Sequence, residues 1–286
     1  MPLNTRQIRR RIRSVKNIAQ ITKAMEMVAA SRMRRAQQMA LSSRPYSDKM
    51  RELLSDLAAA VTDVETLHPL LQKREVKQVG VLLVTTDRGL CGSLNSNVIR
   101  QGATFVLDQK VPVKLVTVGR KGRDWMVRRG QNVIAEFTNL SDRPRLDDTT
   151  AISHVLIDEY VRGEVDEVYV IFPRFVSTLI PRPVIERLLP VEPASELAGP
   201  NVDYIYEPDP TMVLGQLMPR FVEIQVYQTI LESKASEQSA RMVAMRNATE
   251  NANEVTADLT LSLNRARQAS ITTEITEISA GAEALA

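Results

Sequence analysis

The sequence predicts an α/β domain inserted between two long terminal helices, and three observations carry that prediction. From Arg220 to Ala280 the chain runs 61 residues without proline or glycine, with apolar residues at helical spacing. At about 1.5 Å per residue that is a rod of about 90 Å, far longer than a globular helix. Residues 4–57 form a second stretch of the same kind. Between the two, short runs of Val, Ile and Leu alternate with amphipathic segments, as in a parallel sheet covered on both faces. Pairing the two helices antiparallel is the simplest way to bury both apolar stripes.

The first helix starts at Asn4 or Thr5, either of which can cap it. Ile8, Ile12, Val15, Ile18/Ala19, Met25, Val28/Ala29 and Met33 follow a three-four spacing, with Arg and Lys on the other faces. Pro45 is a candidate kink. Val79–Thr86 reads as a buried strand, followed by the loop Asp87–Ser93 and a helix from Leu94 to about Asp108. A strand at Val113–Val118 precedes Gly119-Arg120-Lys121-Gly122 and a short helix to Arg129. Val133–Phe137 is a third strand, with a helix from about Asp148 to Arg162 and a strand at Glu167–Phe172 after it. Val176–Leu188 reads as a hairpin-like edge, because Pro181 and Pro183 are tolerated only there. The proline-rich segment 190–210 is irregular, and Asp209-Pro210 opens the last helix as N-cap and first helical residue. Pro219 is a candidate bend in its first turns.

Beyond Pro219 a heptad seam runs through Leu231, Gln238, Met245, Ala252, Leu259 and Ala266. Ala235, Met242, Thr249, Thr256 and Leu263 flank it. The seam is poor in leucine, so its stability depends on what surrounds it. The domains expected are a helical segment 1–57, an α/β domain with linkers over 58–208, and a helical segment 209–286.

Composition narrows the function. Hydrophobic residues make up 44% of the chain but aromatics only 4%, which favours helix-on-helix packing over an aromatic-anchored core. The net charge of +3 is small but uneven: residues 1–35 hold ten Lys or Arg against one acid, Glu26. That asymmetry fits a nucleic-acid arm or a basic face meeting an acidic protein surface, and no DNA-reading motif accompanies it. The single cysteine, Cys91, excludes an internal disulfide. Met1–Lys23 lacks the apolar run of a signal peptide, and the apolar run in Val79–Val84 is too short to span a bilayer. A role at a membrane would be exercised from outside it.

No catalytic constellation emerges. The loop Thr85–Ser93 sits where α/β proteins hold phosphates, yet it lacks both the GxGxxG and the P-loop spacing. Gly119-Arg120-Lys121-Gly122 has the form of a GxxG clamp, and a turn with solvated charges explains it more simply. Cys91 has only His68 and His154 as candidate bases, and no motif links either to it. Asp147-Asp148, followed by Thr149, reads as a helix start before it reads as a Mg²⁺ site. No cofactor or metal is expected.

Five segments carry a resemblance. Ile21-Thr22-Lys23-Ala24-Met25-Glu26-Met27-Val28-Ala29-Ala30-Ser31, Thr86–Gly92, Asp203-Tyr204-Ile205-Tyr206-Glu207-Pro208, Ser236–Met242 and Arg267-Gln268-Ala269-Ser270-Ile271-Thr272 are similar to signatures of the γ subunit of F-type ATP synthase, bacterial form. They span essentially the whole chain, and the two terminal runs are the most specific. The resemblance implies an antiparallel coiled coil with an inserted Rossmann-like α/β domain at its base. It implies a non-catalytic rotor that couples proton-driven rotation of the membrane c-ring to conformational changes at the catalytic β subunits. The partners would be the α3β3 hexamer, the ε subunit and the c-ring, with no nucleic acid. The location would be peripheral, on the cytoplasmic face of the cell membrane.

By the same resemblance, Lys23, Met25 and Glu26 would face the lever regions of β. Arg241, Arg267, Gln268 and Thr272 would engage the hexamer or steady the shaft. Tyr204, Tyr206 and Glu207 would meet the c-ring or ε at the foot. Ile271, Ile275, Ile278 and Leu285 would run in an apolar sleeve. The chain shows no inserted cysteine-pair segment of the chloroplast kind, so thiol regulation is not expected.

Overall fold

The computed structural model describes residues 5–60, 68–176, 181–191 and 210–285. Helix α1 spans Thr5–Ala60 and is followed by a 3-10 turn at Pro69–Leu71. Then come β1 (Val79–Val84), α2 (Leu94–Asp108), β2 (Val113–Val118), α3 (Arg120–Arg128) and β3 (Val133–Phe137). Helix α4 (Asp147–Val161), β4 (Glu167–Phe175), β5 (Pro181–Leu189) and α5 (Pro210–Leu285) complete the order. The α/β element set inserted between two long helices is the one the sequence predicts. Pro45 and Pro219 sit inside α1 and α5, and neither ends its helix. The chain forms two compact units, residues 30–241 and residues 1–29 with 242–286.

In the unit 30–241 the strands lie in the order β3-β2-β1-β4-β5. The first four pair in parallel, and β5 returns antiparallel along β4. Its Pro181 and Pro183 can sit there because β5 is outermost and one side needs no ladder donors. β1 is buried along its whole length, so its alternating side chains feed both faces. Val79, Val81 and Leu83 pack with Val98 of α2 and Met126 of α3. Leu82 and Val84 join the opposite core, with Ile152, Leu156 and Tyr160 of α4 and Leu214, Met218 and Val222 of α5. Strand order reverses between β1 and β4, the switch point at which open α/β sheets form a crevice. Gly119 follows β2 at φ +88°, and a Cβ there would stand 2.3 Å from the Thr85 carbonyl oxygen, so only glycine fits. On the helices of this unit, the Ser43 hydroxyl bonds the Gln228 side chain, whose Nε2 donates to the Ala40 carbonyl at 3.4 Å.

In the unit formed by residues 1–29 and 242–286, α1 and α5 run antiparallel. Thr22 Oγ1 lies 2.7 Å from Thr249 Oγ1, and one turn further along α1 Glu26 accepts from Arg246, one turn back on α5. The heptad positions behave as a seam: Met245 and Ala252 are buried, while Thr249, Thr256, Leu259, Leu263 and Ala266 are half-buried among exposed neighbours. On α1 the paired choices resolve towards alanine. Ala19 and Ala29 are buried, whereas Ile18 and Val28 remain 48% and 52% exposed. Alanine lets the helix axes approach closely, and the branched side chains turn outward.

Candidate functional site

The loop after β1 is the first place to look for chemistry, and its polar groups are already engaged within the fold. Thr85 Oγ1 donates to the Val118 carbonyl at 3.0 Å and accepts from the Gly122 amide at 2.9 Å. The Asp87 carboxylate accepts from the amides of Arg120, at 3.2 Å, and Asn139, at 3.0 Å, tying two neighbouring loops together. Asn95 joins Thr86 and Cys91, donating to Thr86 Oγ1 at 2.8 Å and to Cys91 Sγ at 3.2 Å. Burial pushes the Cys91 thiol up, with the Arg241 charge acting in the opposite sense, so the sulfur is held as an inert thiol. His68 Nδ1 accepts from the Leu70 amide at 3.2 Å, and His154 pairs with Glu223 at 3.3 Å; the fold brings neither to Cys91 as a base.

The crevice itself holds α5. Arg241 Nη2 donates to the Gly89 carbonyl at 3.3 Å, Ser236 Oγ to the Pro173 carbonyl at 2.9 Å and Lys234 Nζ to the Leu140 carbonyl at 3.1 Å. Asp147 and Asp148 occupy the first turn of α4, where the helix dipole favours acids, and Asp148 accepts from the Arg145 amide at 2.8 Å. No cluster of three or more His, Cys, Asp or Glu suited to a metal occurs among the described residues. None of the described helices is long and apolar enough to cross a membrane.

The residues singled out for partner contact fall into separate environments. Lys23 is exposed, Met25 half-buried and Glu26 buried. Glu26 accepts from Lys23 at 3.0 Å and from Arg246 at 3.3 Å, so the carboxylate braces α1 to α5. The Lys23 hydrogen bond, helped by Arg246, holds its pKa below the ordinary 4.5 against the opposing effect of burial. Beside this brace lies a cleft of about 810 Å³ lined by residues that include Lys16, Gln20, Lys23, Met27, Arg246 and Asn253. Ile18, Ile21 and Val28 present an exposed apolar stripe on α1.

Arg241 is directed inward. Its side chain is 12% exposed and bonds Glu237 at 2.7 Å. Arg267, Gln268 and Thr272 are exposed on α5, as are Ile271, Ile275 and Ile278. Tyr204, Tyr206 and Glu207 lie outside the described residues. Sequence reasoning missed Arg246, Lys234 and Glu237. Glu237 and Arg241 stand at a readable i,i+4 spacing; the Glu26–Arg246 bond depends on a cross-helix register that no local pattern encodes.

A family model described as ATP synthase matches residues 4–285. An ATP synthase gamma chain of Dehalococcoides mccartyi (strain CBDB1) is 55% identical over 283 residues, covering 99% of each chain. That of Roseiflexus sp. (strain RS-1) is 54% identical over 287 residues, again covering 99% of each. Among solved structures, a chain of the Tetrahymena thermophila mitochondrial ATP synthase central stalk and c-ring aligns with TM-score 0.63 and 26% identity, covering 80% of this chain and 99% of that one. A chain of the Euglena gracilis mitochondrial ATP synthase shares the fold, with TM-score 0.68 at 19% identity over 98% of this chain and 94% of that one. An alignment that runs nearly end to end, at more than half identity, leaves one assignment: the chain belongs to the family of ATP synthase γ chains, the γ subunits of F-type ATP synthases.

Proposed function

We propose that this chain is the rotary central-stalk subunit of an F-type ATP synthase, transmitting c-ring rotation to the catalytic β subunits. The observation that carries the reading is the distal end of α5. From Arg267 onward every residue whose side chain is described is exposed, including Ile271, Ile275 and Ile278. Isoleucines repeated at helical spacing and left in water mark a surface awaiting partners. In the γ family the available partner is the α3β3 hexamer, with ε and the c-ring at the other end. Each orientation of an asymmetric shaft makes different contacts with the three β subunits, and so favours a different β conformation in turn.

The chain itself is non-catalytic on this reading; ATP forms on β. Lys23 and Met25 meet the lever region of β, and Glu26 acts by fixing Lys23 and Arg246. Arg267, Gln268 and Thr272 engage the hexamer, Arg241 steadies the shaft from within, and Tyr204, Tyr206 and Glu207 meet the c-ring or ε. The functional division follows segments 1–57, 58–208 and 209–286. The complex sits peripherally on the cytoplasmic face of the cell membrane. Co-expression with α and β tests the reading: the chain should co-purify as a single copy per three β, and its omission should abolish coupled ATP synthesis. A stable, active complex holding a different number of copies overturns it.

A further inference from the structure

At the carboxyl ends of its strands, where open α/β sheets hold ligands, this chain places a segment of its own helix. Leu231, Glu232, Ser233 and every residue from Ala235 to Ser239 are buried, so α5 is enclosed on all sides here. Enclosed helices are ordinarily apolar all round, yet this one carries Glu232, Ser233, Ser236, Glu237, Gln238 and Ser239. Three side chains along it are directed at backbone. Lys234 Nζ holds the Leu140 carbonyl of the β3–α4 connection, Arg241 holds the Gly89 carbonyl of the β1–α2 loop, and Ser236 holds the Pro173 carbonyl of β4. At about 100° per residue, Ser236 lies on nearly the opposite side of the helix from Lys234 and Arg241. Glu237 stands between the two cations, 2.7 Å from Arg241 and 4.0 Å from Lys234.

We propose that Lys234, Ser236, Glu237 and Arg241 form a torsional clamp that grips α5 from opposite sides, with Glu237 the positioning residue that aims both cations at the loop carbonyls. One-sided packing lets a helix roll about its axis; attachments on opposite faces oppose rolling in either sense. All three acceptors are main-chain oxygens, two in loops and one in β4, so the grip fixes the backbone itself. The ligand crevice of the fold has become the socket of the helix. The clamp stands on its own geometry, and only the load it carries rests on the rotor reading.

The test uses the assembled α3β3γ complex with Glu237→Gln, Arg241→Met and Arg241→Lys. Amide exchange in Arg88–Cys91 and Thr138–Leu140 should accelerate about ten-fold or more in the first two variants, with Leu115–Val118 of β2 unchanged. Arg241→Lys, which keeps the charge, should restore most of the protection. A bead on Leu107→Cys, which replaces an exposed α2 residue while Cys91 stays buried, should show an angular spread at its pauses about two-fold wider in Glu237→Gln. Unchanged exchange overturns the clamp, as does equal acceleration in β2, which would mark a general loss of stability. A bead that never rotates even on the parent chain counts against the rotor reading, and the exchange result still decides the clamp.

Discussion

Four residues show how the fold constrains individual positions. At Gly119 a Cβ meets the Thr85 carbonyl at 2.3 Å and φ is +88°, whereas at Gly130 φ is +69° and a Cβ meets nothing within 4 Å. Gly130→Ala should therefore cost only the left-handed penalty of about 1–2 kcal/mol, and Gly119→Ala distinctly more, measured by denaturant unfolding. Thr117 Oγ1 is buried without a hydrogen-bond partner, so Thr117→Val should be neutral or stabilising by about 1 kcal/mol. Glu26 has a lowered pKa, so its contribution is complete above its ordinary 4.5 and is lost as pH falls through the lowered value. Glu26→Gln should flatten that acid limb in a series of thermal melts; an unchanged limb contradicts the brace. None of this was legible in the sequence except the glycine turn. Thr117 looks like any strand threonine, and Glu26 looks like a surface acid on a basic helix. Their environments arise from pairings across the fold.

At the scale of elements the sequence was far more explicit. β2 and β3 fall on their predicted residues: β2 is buried over Leu115–Val118, and β3, at the sheet edge, alternates half-buried and exposed positions between two turns. β4 is longer than expected, running to Phe175, because antiparallel pairing with β5 extends it past the parallel part. The heptad seam on α5 is likewise visible in the burial pattern: Leu231, Ala235, Gln238, Met245 and Ala252 are buried, and the seam positions beyond Ala252 are half-buried. That contrast gives a paired prediction. Leu231→Ala, at a site only 1% exposed, should cost about 2–5 kcal/mol of chain stability. Ile275→Ala, at 62% exposure, should change that stability by less than about 0.5 kcal/mol, yet weaken association with α and β. Equal effects on both measurements would mean that the distal helix is an ordinary part of the fold rather than a contact surface. The partner of each helix could be inferred from two unmatched stripes. The split between Ala19 and Ile18, or Ala29 and Val28, could not, because both choices satisfy helical periodicity.

At the scale of the whole molecule, α5 fills the crevice at the carboxyl ends of the strands, while His68 and His154 take partners of their own elsewhere in the fold. The chain belongs to a family of ATP synthase γ chains, and its exposed apolar and basic surfaces are the features that an isolated chain cannot satisfy. The central claim is mechanical, so its most direct measurement is rotation itself. With α3β3 fixed to a surface through β and a probe attached to this chain, ATP should drive unidirectional rotation in three equal steps per turn. Steady ATP hydrolysis by the same complex with the chain stationary would contradict the account.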